Sequence, residues 1–378
     1  MRISSLQENL KQGLNIVSHV AGKNSNLPIL SNILIEAIDG KIKLSSTNLE
    51  IGINSYIRGK IEKEGKTTVD SKTISDYITL LPNKKIEIEL EKDNLKIISE
   101  NYKTKLKTQD AEEYPLIPQI NKKDNVYKVD TEELKRALSQ VVFAVSNNEN
   151  RLELSGVFFC FYENKITIAA TDSYRLAEQE ISIKEKKEQE SEKKIIIPAK
   201  TIHEVIRILS FSKENENKED IKNTSICFSD NQVLFEFGTT EIISRLIEGQ
   251  YPDYKQIIPQ KNQTLIIINK TELIKAVKAS ALFSKTGIND ISLDFPAGKN
   301  QTIITAESGQ TGESVVIIDS NVTGQDNGLV VNYRYLLDGL NSIDSENVKI
   351  EIVDNNTPCV LKPEKENGQL YIIMPIKQ

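Results

Sequence analysis

The chain repeats itself, so whatever fold one stretch adopts the others must adopt too. Three segments, ISSLQENLKQGLNIVSHVAG from Ile3, YKVDTEELKRALSQVVFAVS from Tyr127 and IIINKTELIKAVKASALFSK from Ile266, share one plan: a short strand, a polar cap and a helix. Their apolar pairs Leu10/Leu14, Leu134/Leu138 and Leu273/Val277 stand four residues apart, one buried stripe per helix. A second element recurs later in each copy: TTVDSKTISDYITLL, KIIIPAKTIHEVIRIL and GLVVNYRYLLDGLNSI. Its stripes, Ile74/Ile78/Leu81, Ile202/Ile206/Leu209 and Leu336/Leu340/Ile343, again follow helical spacing. Asp70 and Ser71, Pro198 and Asn332 stand at the starts of these helices, where such residues satisfy or dispense with the first backbone donors.

Between the helices the period changes to two. KIKLSSTNLEIGINSYI from Lys41, KITIAATDSYRLAEQEI from Lys165 and TIITAESGQTGESVVI from Thr302 occupy the same place in each copy. So do the runs beginning at Lys85, Thr224 and Lys349. Turn pairs such as Asp39-Gly40, Asp93-Asn94, Glu163-Asn164 and Asp230-Asn231 join alternating runs into antiparallel hairpins. The expected fold is α+β: three tandem copies of one domain, each with two helices plus antiparallel sheet, over residues 1–123, 124–253 and 254–378. Two mixed-charge stretches from Lys184 and Lys213 read as solvated loops of the middle copy.

Composition narrows the function classes. With 378 residues, 38% hydrophobic and 27% charged, the chain can bury several ordinary cores. A net charge of −6 excludes a general basic coat but not one basic surface. Cys160, Cys227 and Cys359 are odd in number and far apart, and His19 and His203 are the only histidines. A disulfide framework, a zinc site or a histidine-based catalytic triad has almost no material, and no metal or cofactor is expected. The longest apolar run, Val157 to Tyr162, falls far short of the roughly 20 residues of a membrane span. A cytoplasmic protein is expected.

The polar side of the helices carries the functional signal. Lys72, Lys200 and Arg334 share one column, in the first turn of the second helix of each copy. The helix dipole disfavours a cation there by roughly 0.3–1 kcal/mol, which phosphate oxygens outside the helix would offset. The first helices add Lys11 and Lys23, Lys135 and Arg136, and Lys275 and Lys278, diluted by Glu8, Glu132, Glu133 and Glu272. A basic helical face on an acidic protein binds phosphate backbones without reading bases, and weakens as salt rises.

LPILSNILIEA (Leu27–Ala37), ATDSYRLA (Ala170–Ala177), RLIEGQYPDY (Arg245–Tyr254), NYRYLLDGL (Asn332–Leu340) and YIIMPIKQ (Tyr371–Gln378) complete the picture. In this order and at these positions the chain resembles the bacterial sliding clamps, the beta subunits of DNA polymerase III, over essentially its full length. The resemblance implies a DNA-clamp fold forming half of a closed ring: a head-to-tail homodimer that encircles duplex DNA without sequence preference. Clamp loader, DNA polymerase and repair proteins would be held through a short peptide motif, with no chemistry and no membrane. It assigns the DNA-facing role to Lys23, Lys72, Arg136, Asn147, Asn148, Arg151, Lys200, Lys275 and Arg334. It places a partner-peptide pocket at Leu154, Thr171, Ser173, Tyr174, Arg175, Leu176, Pro252, Ile257, Asn332, Tyr335, Met374, Pro375 and Ile376, where Arg175 and Asn332 would fix the peptide. It sets the subunit interface at Leu106 on one side and Leu282 and Phe283 on the other, with Lys103, Lys105 and Lys107 meeting Glu307 or Glu313. Alternate lysines also keep such an edge strand from pairing wrongly.

Two other classes compete. A carboxylate-based hydrolase would draw on Asp172, Asp253 or Asp338, but none sits in a recognisable catalytic motif. A structural or adhesive repeat protein would fit the repeats, but not the lack of paired cysteines.

Overall fold

The computed structural model describes residues 1–22, 27–118, 120, 126–148, 150–186, 192–215, 222–365 and 367–377. Lys23 and the expected boundary at 123/124 lie outside them. Among the described residues are six α-helices: α1 (Gln7–Ser18), α2 (Ser71–Leu80), α3 (Thr131–Val141), α4 (Ala199–Asn215), α5 (Lys270–Ala281) and α6 (Tyr333–Ser342). The element order recurs three times. Strands Arg2–Leu6, Val126–Asp130 and Thr264–Asn269 lead into α1, α3 and α5; Gly65–Asp70, Lys193–Pro198 and Asn327–Asn332 lead into α2, α4 and α6.

The stripes are where the spacing puts them. Leu10, Leu14, Leu134, Leu138, Leu273 and Val277 are all buried, as are Ile74, Ile78, Leu81, Leu336, Leu340 and Ile343. In α4 the expected Ile206 is only half-buried while Val205 and Ile208 are fully buried, so that helix turns a different arc inward. Capping splits the copies. Asp130 accepts from Glu132 N at 3.0 Å and Asn269 from Glu272 N at 3.1 Å, but α1 starts after Leu6 with no side-chain cap. Its first amide is met by tertiary structure instead, Gln7 N donating to Lys84 O at 3.0 Å.

Packing divides the chain into two units, which cut across the three sequence copies. The first comprises Met1–Glu132, Lys184–Gln189 and Glu204–Leu246. One of its antiparallel layers runs Asn32–Ile38, Lys41–Thr47, Ile51–Ile57, Thr240–Arg245, Gln232–Phe237, with Ile53 opposite Ile242, so the first copy and part of the middle one share a sheet. A helix contact reinforces it. The Arg207 guanidinium of α4 donates to Ile16 O at 2.8 Å and Asn15 O at 3.3 Å, and is itself held by Glu204. It thus supplies the cation that the last turn of α1 lacks.

The second unit comprises Glu133–Ile183, Glu190–His203 and Ile247–Gln378. Its central layer runs Gly156–Phe161, Lys165–Thr171, Arg175–Lys186, Gln369–Ile373, Cys359–Pro363, with Leu176 opposite Ile372. The rest of the middle copy is thereby joined to the third by the same device.

Basic helix starts and a junction cleft

Lys72, Lys200 and Arg334 are each the second residue of their helix and each exposed. Two of the three helix starts are built alike around them, while α4 follows Pro198. Asp70 caps α2 through Thr73 N at 2.8 Å, and Asn332 caps α6 through Arg334 N at 2.9 Å. Arg136 and Lys275 are exposed on α3 and α5. Asn147 and Asn148 stand on the loop after α3, where Asn148 Oδ1 accepts from Asn150 N at 3.0 Å. The Arg151 side chain bonds Ser173 Oγ at 3.1 Å and Glu153 at 3.1 Å, and lines a cleft of the second unit.

That cleft, about 220 Å³, is where the sequence motifs converge. Thr171, Ser173, Arg175, Leu176, Pro252, Ile257 and Met374 line it, together with Arg151, Asp253, Tyr254 and Ile372. The turn at 171–175 gives it shape. Thr171 Oγ1 donates to Arg175 O at 2.6 Å, Asp172 Oδ1 accepts from Tyr174 N and Arg175 N at 2.9 and 3.0 Å, and Ser173 takes φ of 80°. The C-terminal strand closes one side, with Met374 N donating to Tyr174 O at 2.9 Å. Leu154 is core beneath the wall, Tyr174 is exposed, and Ile376 N donates to Val330 O at 2.8 Å; these, with Pro375, stand outside the lining itself.

Arg175 is held by contacts within the chain. Its Nε donates to Asp172 Oδ2 at 3.0 Å, Nη1 pairs with Asp338, and Nη2 donates to Phe143 O at 2.9 Å. The guanidinium also lies 4.6 Å from the Tyr335 ring centroid and 5.5 Å from that of Phe143. With these donors committed inside the chain, Arg175 braces the wall and Tyr335 packs behind it. Asn332 likewise spends its oxygen on the α6 cap. Opposite, the Tyr254 hydroxyl donates to Glu178, whose carboxyl burial pushes above the usual carboxylate range. The aspartates of the hydrolase reading are structural: Asp172 and Asp338 serve Arg175, and Asp253 Oδ2 accepts from Gln256 at 2.8 Å.

Two strand edges complete the inventory. Leu106 is half-buried on Tyr102–Gln109, while Lys105 pairs with Glu91 of its own chain at 2.8 Å rather than standing free for another. In the other unit Leu282 is exposed and Phe283 half-buried at the end of α5. Sequence reasoning missed Val315 and Ile317, 61% and 59% exposed on Gly312–Gly324. The alternation ESVVIID held the signal, but it reads equally as a strand with a buried face.

Models of three domains of the DNA polymerase III beta subunit match the chain in order: the N-terminal domain at residues 1–118, the central at 128–253 and the C-terminal at 255–377. The chain belongs to the DNA polymerase III beta subunit family. A beta sliding clamp of Staphylococcus aureus is 29% identical over 374 residues, 96% of each chain. The DNA polymerase sliding clamp of Bacillus subtilis superposes with a TM-score of 0.91 at 26% identity, covering 100% of this chain and 99% of that one. The beta subunit of Thermotoga maritima gives 0.88 at 27%, with the same coverage. The fold is that of three beta-clamp domains, and a sliding clamp is the function this family carries.

Proposed function

We propose that two copies of this chain close head to tail into a ring around duplex DNA, and that the ring holds polymerase and repair factors through the 171–175 cleft without catalysing a reaction. The observation that carries the DNA-facing part is the repeated placement of Lys72, Lys200 and Arg334, each exposed at the second position of its helix. Three cations at dipole-disfavoured sites make sense beside phosphates, and contacts of this kind carry no base information and let a ring slide. Arg136, Lys275, Asn147 and Asn148 extend that face; Lys23 is proposed from the sequence alone. The closure joins the Tyr102–Gln109 edge of one copy to the Gly312–Gly324 edge of the other, burying Leu106, Leu282, Phe283, Val315 and Ile317. A heterologous contact of this sort must close, or it would run on into fibres. The compartment is the bacterial cytoplasm.

Loading on nicked circular DNA, followed by linearisation, tests this. The ring stays on circles at moderate salt and runs off ends; release independent of topology refutes encirclement. Lys72→Glu, Lys200→Glu and Arg334→Glu together lower retention; unchanged retention removes the DNA-face assignment and leaves the ring standing. Deleting Met374–Gln378 abolishes partner-peptide binding and spares dimerisation; retained affinity refutes the cleft assignment.

A further inference from the structure

The first unit holds a cavity of about 780 Å³, lined by the first copy and by Leu234, Glu241 and Ile243 of the middle one, where the second unit holds packed aromatic rings. The two places correspond residue by residue. In the first unit Leu34 faces Ser45, Ser45 faces Asn54, and Asn54 faces Glu241 across four strands. In the second unit Phe158 faces Ala169, Ala169 faces Glu178, and Glu178 faces Leu370 in the same pattern. The turns beside them are duplicates. Thr47 Oγ1 donates to Ile51 O at 2.9 Å, Asn48 Oδ1 accepts from Glu50 N and Ile51 N at 3.0 and 2.8 Å, and Leu49 takes φ of 75°, as Thr171, Asp172 and Ser173 do. The connectors above begin alike, with Tyr114-Pro115 and Tyr251-Pro252, which pairs Ile117 with Tyr254.

In the second copy the rings fill the space. Phe158 lies 4.8 Å from Tyr251 and 6.2 Å from Tyr254, centroid to centroid, and the Tyr254 hydroxyl is seated on Glu178. In the first copy Leu34 stands for Phe158 and Ile117 for Tyr254, so two of the rings have no counterpart there, and both residues line the cavity. Its floor is polar rather than greasy. Ser45 Oγ donates to Asn54 Oδ1 at 2.8 Å, and Asn54 Nδ2 to Glu241 Oε2 at 3.2 Å, so an amide stands where Glu178 takes the Tyr254 hydroxyl in the sister copy, with a carboxylate beside it where Leu370 stands. Leu116, 94% exposed, stands on the connector among the lining residues and offers apolar contact to whatever flanks that ring.

We infer that this cavity accepts an aromatic side chain with a hydrogen-bond donor at its tip, a tyrosine above all, presented by a partner protein, with Asn54 and Glu241 receiving the donor. The second copy shows the occupant's shape, because there the chain supplies its own tyrosine, Tyr254, at the start of the short 3-10 turn Tyr254–Ile257. The site is separate from the 171–175 cleft and does not depend on that cleft's role.

The test titrates the full chain with N-acetyltyrosinamide, N-acetylphenylalaninamide and p-cresol, followed by saturation-transfer NMR. The tyrosine amide binds at least about fivefold tighter than the phenylalanine amide, the worth of one modest hydrogen bond. Leu34→Phe with Ile117→Tyr, which imports the second copy's rings, abolishes that binding and raises the melting temperature. Ile117→Phe alone serves if the pair fails to fold. Asn54→Leu narrows the preference for tyrosine over phenylalanine. No binding of the tyrosine amide up to its solubility limit overturns the inference, as does undiminished binding to the filled variant. Equal binding of both amides to the unaltered chain refutes the donor role. Binding of p-cresol without the amide refutes a partner's side chain and leaves a small-molecule site.

Discussion

Replacing Arg175 with Met asks whether the guanidinium is a brace. The side chain is 12% exposed and meets two unequal anions, Asp172 at 14% and Asp338 at 47% exposed. The half-exposed Asp338 contact is screened and contributes about 0–1 kcal/mol. The buried contacts matter more. Losing a charged donor to Asp172 and to Phe143 O costs on the order of 1.5–3 kcal/mol each before relaxation, and the Tyr335 face adds roughly 1 kcal/mol. These terms overlap, Asp172 keeps its two backbone donors, and Met preserves part of the stem's packing, so the net loss is about 3 kcal/mol. For a unit of this size that lowers the thermal midpoint by roughly 6–12 °C, against at most about 4 °C for Asp338→Asn. Differential scanning calorimetry in low and molar salt decides: salt should erase the Asp338→Asn difference and leave most of the Arg175→Met loss. If Arg175→Met melts within a degree or two of Asp338→Asn, the brace does not exist and the guanidinium is available to a partner after all.

Gly339→Ala should destabilise α6, although Ala is the better helix former by about 1 kcal/mol, because the new Cβ would fall 2.1 Å from Cε1 of Tyr371. That ring is fully buried and its hydroxyl donates to Tyr335 O at 2.8 Å, so it cannot swing away; a raised melting temperature would contradict this. Glu178, with its carboxyl raised mainly by burial, holds its proton more tightly folded than unfolded, so its contribution to stability falls as pH rises through the folded value. Glu178→Gln should therefore melt higher than the unaltered chain at pH 8, with the gap closing toward pH 4.5; a gap widening in acid would refute the sign. Burial pushes the Cys160 thiol up to about 11 and Cys359 up to about 12, so neither should react with Ellman's reagent until urea unfolds the chain; prompt labelling at neutral pH would show the burial is breached.

The helices and hairpins were legible because their signals are local. A stripe at four-residue spacing, such as Leu10 and Leu14, has one efficient burial, and Asp39-Gly40, at φ of 52° and 73°, favours one turn. Local reasoning failed where tertiary structure supplied the partner. The start of α1 takes its acceptor from Lys84, so no capping residue appears beside it. The committed donors of Arg175 were invisible because their acceptors lie at 143, 172 and 338. Lys105 looked available until Glu91 came alongside on a neighbouring strand pair. The cavity over Asn54 is lined from positions far apart in the chain, and repeat-against-repeat comparison of Leu34 with Phe158 and Ile117 with Tyr254 shows two rings of the second copy without a counterpart there.

The bond from Arg207 to the last carbonyls of α1 has a consequence for anyone cutting the gene. The opening third of the polypeptide borrows the stopper of its own first helix from beyond residue 200, and shares a sheet with residues 240–245. Excised at the obvious seam, it would fray at that helix and bare a strand edge, so swaps among relatives have to transplant the borrowed parts as well.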